Sequence, residues 1–179
     1  MSDVLAEKAI LIVDDEPDIL ETLEELLDTC IIDSAPDFDT ARRFLKSKPY
    51  DGAILDIMGV NGYELLALTH EIGIPALILT AHALSSKNFV KSIINGAYAY
   101  IPKHEMTNIY DYLSEMIEAS EMLKSKEKDP DKPNKWFKKL TPYFDETFGN
   151  DWIDNHKDDL KDYNLTYDRE ELAKIFFPS

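Results

Sequence analysis

Five polar residues stand directly after, or at the end of, short apolar runs: Asp14 and Asp15 after Ala9–Val13, Asp56 after Gly52–Leu55, Thr80 after Ala76–Leu79, and Lys103 after Tyr98–Pro102. If those runs lie side by side, three carboxylates, a hydroxyl and an ammonium converge on one rim. Like charges there repel by roughly 4 kcal/mol per pair at 4 Å and an effective dielectric of 20. A pocket that keeps the acids ionised needs a cation, and an all-oxygen ligand set suits Mg²⁺. A single aspartate at such a position is ordinarily a cap for the helix that follows. Three of them on one rim, with a threonine and a lysine, point instead to a ligand site.

The elements that must position these residues alternate between two periods. Ala9-Ile10-Leu11-Ile12-Val13 is a continuous apolar, largely β-branched run, as in a strand covered on both faces. Ile19, Leu20, Leu23, Leu26 and Leu27 follow at helical spacing after Pro17, a residue suited to a first helical turn. Cys30-Ile31-Ile32 predicts a short second strand, and Phe38, Ala41, Phe44 and Leu45 a second helix ending near Pro49. Gly52-Ala53-Ile54-Leu55 is a third strand, and Leu65, Leu66 and Leu68 mark the helix after it. Ala76-Leu77-Ile78-Leu79 is a fourth strand, followed by a helix through Phe89, Val90, Ile93 and Ile94 to Gly96. Tyr98-Ala99-Tyr100-Ile101 is a fifth, and Ile109, Leu113, Met116, Ile117 and Leu123 lie on the last helix of the series. Five strand–helix units predict an α/β fold: a doubly wound parallel sheet with helices on both faces and right-handed crossovers. Pro102 places the fifth strand at an edge, and ligands of such sheets bind beyond the carboxyl ends of the strands.

Ile12-Val13-Asp14-Asp15-Glu16-Pro17, Leu55-Asp56-Ile57-Met58, Leu79-Thr80-Ala81 and Tyr100-Ile101-Pro102-Lys103, in this order, resemble the receiver domain of bacterial two-component response regulators over about residues 6–123. The resemblance implies a flavodoxin-like sheet of strand order 2-1-3-4-5. It implies Asp56 as phospho-acceptor, with a sensor histidine kinase or phosphotransfer protein as donor. It also implies that Asp15, Asp56 and the Met58 backbone carbonyl hold Mg²⁺, with Asp14 assisting through water. Thr80 and Lys103 would meet the phosphoryl oxygens, and Tyr100 would be an aromatic that turns inward when Thr80 moves. Two departures stand out. Lys103 is followed by His104 where the family usually has proline and a cis bond, and a non-proline cis bond costs about 2.5–4 kcal/mol. The loop Ile57-Met58-Gly59-Val60-Asn61-Gly62 reaches its second glycine sooner than in the family and lacks its proline. His82, two residues past Thr80, either tunes dephosphorylation or is a surface histidine.

Charge and composition set the remaining bounds. The chain of 179 residues has 19 Lys+Arg against 35 Asp+Glu, a net charge of −16. That balance disfavours nucleic-acid binding, which needs clustered cations. No apolar run approaches the roughly 18–20 residues that span a bilayer, and the start of the chain does not read as a signal peptide. The single cysteine, Cys30, permits no internal disulfide. The expected compartment is cytoplasmic.

Residues 1–123 are read as the receiver and residues 124–135 as a charged linker with no apolar side chain. Residues 136–179 are read as a helical extension holding ten of the nineteen aromatics. Trp136, Phe137, Leu140, Tyr143, Phe144 and Phe148 fit one amphipathic helix despite Pro142. Trp152, Ile153 and Leu160, then Leu172, Ile175 and Phe176, suggest two more. So many aromatics need burial, whether on the receiver, in a homodimer or in the groove of a downstream protein. The expected function is a phosphorylation-dependent switch, not an enzyme in the ordinary sense, with output through protein–protein contact or dimerisation instead of DNA. Two rivals stand beside it: an interaction module of receiver fold that does not use phosphorylation, and a metal-dependent phosphohydrolase. The second rival would commonly carry another acid where Met58 stands.

Overall fold

A computed structural model of the chain describes residues 3–81, 85–125 and 135–155. His82, most of the charged linker, and the helices expected around Leu160 and Leu172–Phe176 lie outside the described residues. Five strands, β1 (Ala9–Val13), β2 (Ile31–Ala35), β3 (Gly52–Leu55), β4 (Ala76–Thr80) and β5 (Ala99–Pro102), form one sheet in the order β2-β1-β3-β4-β5. All neighbours are parallel. Between and after them run α1 (Pro17–Leu26), α2 (Phe38–Ser47), α3 (Gly62–Glu71), α4 (Ser86–Ile94) and α5 (Ile109–Ser125), with a 3-10 turn over Lys103–Asn108. The architecture is the flavodoxin-like α/β fold read from the sequence.

The three inner strands β1, β3 and β4 are almost wholly buried, which is why their sequences are unbroken apolar runs. β2 is longer than Cys30-Ile31-Ile32 suggested. Its polar residues are satisfied from outside the strand: Asp33 accepts hydrogen bonds from Lys48 Nζ and Tyr50 Oη, both at 2.7 Å. β5 starts one residue later than read and takes in Pro102. The Tyr98 N–H donates to the Ala76 carbonyl at 2.8 Å, so by alternation the nitrogen of residue 102 faces β4 as well. Proline there has no hydrogen to give and closes the ladder at its last rung.

Helix starts follow local chemistry. Asp37 caps α2 by accepting from the Thr40 N–H at 2.8 Å, and Ser85 caps α4 by accepting from the Asn88 N–H at 3.1 Å. Pro17 occupies the first turn of α1. Beyond the sheet, α6 (Lys135–Phe148) carries Pro142 inside it, and the short α7 (Trp152–Asn155) follows Gly149, whose φ is +89°. Leu140, Phe144 and Trp152 from this segment are buried and continuous with the core around the sheet.

Candidate functional site

Register brings the predicted residues to one rim. Val13 pairs with Leu55, Leu55 with Ile78, and Thr80 with Pro102, so Asp14, Asp56, Thr80 and Lys103 leave the sheet together at its carboxyl edge. The Asp56 N–H donates to the Val13 carbonyl at 2.9 Å, extending the β1–β3 ladder to the acid itself. Asp14 and Asp56 are 2% and 4% exposed, unusual for carboxylates. Asp15 lies open to solvent beside them. Each of the three offers one oxygen, and those oxygens lie within 4.8 Å of one another.

That span fits a small hard cation. Three carboxylate oxygens gathered this closely are the donor type that Mg²⁺ takes. The acids are not left uncompensated. Lys103 Nζ sits 2.6 Å from Asp14 Oδ2, 2.7 Å from Glu16 Oε1 and 3.1 Å from Asp56 Oδ2, with its side chain 8% exposed. Burial opposes the charge on Lys103, but the hydrogen bonds to Asp14 and Glu16 and the charges of Asp56 and Asp14 outweigh it and hold its pKa above the ordinary lysine range. Burial pushes the Asp14 carboxyl up, and Lys103 only partly offsets that. The other oxygen of Asp14 accepts from the Glu16 N–H at 2.9 Å, and Asp56 Oδ1 accepts from the Ile57 N–H at 2.7 Å. Both buried acids are thus oriented by backbone donors as well as by the lysine.

The loop after Asp56 closes tightly over the cup. At Gly59 (φ +77°) a Cβ would stand 2.3 Å from the Asp15 carboxylate, and at Gly62 one would stand 1.9 Å from the Asp56 carbonyl oxygen. Both positions therefore need glycine. Between them Val60 is buried and Asn61 takes a left-handed turn with φ 54°. The Met58 side chain is 50% exposed and lies at the rim, while Ala81 is exposed at the mouth. No peptide bond among the described residues is cis, so Lys103–His104 is trans and leads straight into the 3-10 turn.

Thr80 is fully buried at the end of β4, and Tyr100 is fully buried on β5. Burial raises the Tyr100 phenol above its ordinary range, with Tyr63 and Asp56 adding to the effect. Its ring meets Phe89 of α4 edge-on, centroids 5.5 Å apart. Two participants were not singled out from the sequence. Glu16 takes a share of Lys103, and its place beside Asp14-Asp15 was the available signal. Phe89 was placed only among the apolar residues of its helix, and nothing in the sequence said which ring it would meet.

Among known proteins, a family model described as the response regulator receiver domain matches residues 10–114, ending within α5. Response regulator GtcR of Aneurinibacillus migulanus is 40% identical over 79 residues, covering 41% of this chain and 33% of that protein. Two-component response regulator ARR18 of Arabidopsis thaliana is 31% identical over 116 residues, covering 58% of this chain and 18% of that one. The chain thus spans a third or less of these curated relatives. The crystal structure of a CheY-like response regulator receiver domain protein from Methanospirillum hungatei JF-1 superposes with a TM-score of 0.60 at 27% identity. That match covers 65% of this chain and 98% of the other.

Proposed function

The chain belongs to the response regulator receiver domain family, and on that premise we propose that it is a phosphorylation-dependent switch with Asp56 as the phospho-acceptor. The observation that carries this reading is the bridge made by Lys103, which reaches both Asp14 and Asp56 in a cup lined by three carboxylates. The donor would be the phosphohistidine of a sensor histidine kinase or phosphotransfer protein. An Asp56 carboxylate oxygen forms the new bond to phosphorus while the P–N bond breaks, its electron pair returning to the imidazole with a proton from water. Asp56 is oriented for this by the Ile57 N–H. Lys103 stands ready to pair with phosphoryl oxygens, and the Thr80 hydroxyl would donate to another.

Asp15, Asp56 and the Met58 carbonyl would hold Mg²⁺, with Asp14 acting through water. Bound there, the ion would neutralise charge on the transferring group. Tyr100, expected to turn inward, is already fully buried against Phe89, and movement of Thr80 would pass through it to the face made by α4, β5 and α5. Residues 1–123 would act as the receiver, 124–135 as a linker and 136–179 as an extension, with output through protein–protein contact or dimerisation. The family works as a signalling switch, so turnover on a free substrate is not its purpose. Among the described residues, no helix is long and apolar enough to cross a membrane.

Incubation with acetyl phosphate and Mg²⁺ tests the acceptor. The expected result is a mass gain of one phosphoryl group, labile in alkali and lost in Asp56→Asn. An adduct that survives Asp56→Asn, or none in the parent chain, overturns the assignment.

A further inference from the structure

α4 and β5 are covered by the chain itself. Phe89 of α4 is 1% exposed. On one side it rests on Tyr100. On the other it meets Phe144, Trp152 and Phe148, with centroids 4.9, 5.1 and 6.5 Å away. Trp152 Nε1 donates to Asp145 Oδ1 at 3.0 Å, which ties α7 to α6. A second line of contact runs along the 3-10 turn. His104, next in the chain to Lys103, meets Tyr143 edge-on at 4.8 Å, and Lys139 lies 3.9 Å from Glu105 and 5.1 Å above the Tyr112 ring. The α6–α7 segment therefore touches both the residue adjoining the cup's lysine and the ring lying on Tyr100.

We propose that α6–α7 is an intrachain clamp matched to the unphosphorylated cup, so that its docking and occupancy of Asp56 by a phosphoryl group oppose each other; the proposal rests on Asp56 being the acceptor. In the structure Lys103 is shared among Asp14, Glu16 and Asp56. A phosphoryl group on Asp56 places its negative oxygens beyond the present carboxylate, and Lys103 must re-aim toward them. His104 is covalently next to that movement, and its ring supports Tyr143. Close-packed rings lose a quarter to a half of their attraction when a gap of about 0.5–1 Å opens, so a small displacement on the receiver side unseats the clamp. The segment has little to spare, since α6 carries Pro142 inside it and α7 has only four residues. Linkage is reciprocal: the factor by which occupancy of Asp56 weakens docking is the factor by which docking weakens occupancy, so a chain that cannot dock gains affinity up to that factor.

The test uses the full chain with Trp136→Phe, which leaves Trp152 as its one indole, and beryllofluoride with Mg²⁺ as a mimic of the acyl phosphate. Fluorine NMR of bound beryllofluoride, lost in Asp56→Asn, reports the acceptor independently of the clamp. On saturation, Trp152 emission should shift to the red and become more accessible to acrylamide. Phe144→Ala, and separately the half-buried Tyr143→Ala, should bind beryllofluoride about five-fold or more tightly than the parent. Bound beryllofluoride with unchanged Trp152 emission and unchanged affinity in both variants would overturn the clamp while leaving the acceptor standing. Absence of any bound fluorine signal in the parent would overturn both.

Discussion

Lys103 Nζ lies 3.1 Å from Asp56 Oδ2, although 47 positions separate the two residues in the chain. The contact exists because β3 and β5 end at the same edge of the sheet, two strands apart, and a lysine side chain is long enough to cross β4. It places the one cation found in the cup among the described residues against its most buried pair of acids.

Removing that cation should leave Asp14 and Asp56 buried without compensation. Lys103→Met is expected to lower stability in metal-free buffer by roughly 3 kcal/mol, the low end for breaking a buried pair because Asp15 and Glu16 remain wet. Urea denaturation measures the loss, and millimolar Mg²⁺ should restore part of it. Equal stability of the two proteins without metal would show that Lys103 does not hold the acids.

Mg²⁺ itself should raise the melting temperature. Binding to the native cup alone stabilises by about 2.7 kcal/mol at one hundred times Kd. Asp15→Asn should reduce that response most cleanly, since Asp15 is exposed and makes no ion pair with Lys103 among the described contacts. Thermal scans with and without Mg²⁺ decide the matter, and an undiminished shift in the variant would remove Asp15 from the ligand set.

Gly62→Ala should cost about 2 kcal/mol or more, because the new methyl would overlap the Asp56 carbonyl and force the loop outward. The same displacement should slow labelling of Asp56 by acetyl phosphate. Chemical denaturation and intact-mass kinetics on the one variant check both, and parental behaviour in each would show that the loop yields freely.

Cys30 should react slowly with iodoacetamide below about pH 10. Burial pushes its thiol up to about 11, with Asp3 adding to the effect, from an ordinary value of 9.0. Because the folded pKa is the higher one, the native state keeps the proton while the unfolded chain gives it up. Its contribution to stability is therefore complete below pH 9 and fades as pH climbs through 11. Alkylation rates across that window, with urea-unfolded protein as reference, give the measurement; matching profiles would contradict it.

Much of the fold was legible because parallel strands buried on both faces leave an unmistakable mark. Ala9–Val13 and Ala76–Leu79 are apolar throughout, and the polar residues that end them fall on the rim by necessity. β2 was harder to see past Ile32, since Asp33 is acceptable in the strand only through Lys48 and Tyr50, which no local pattern reveals. The acids of the cup could be named from position alone. The role of Glu16 could not, because it depends on where the end of Lys103 comes to rest. The aromatic spacing of α6 predicted a buried stripe, but not that Phe144 would lie on Phe89. A stripe states that something must cover it and leaves the partner open.

The low exposure of Phe89 has a practical side. The ring is shielded because Phe144, Phe148 and Trp152 lie across it. A recombinant fragment cut after Ser125 would present that ring to water as a sticky patch. Any self-association or crystal packing of such a fragment would then be a product of the scissors, and stoichiometry measured on it should not be assigned to the longer polypeptide.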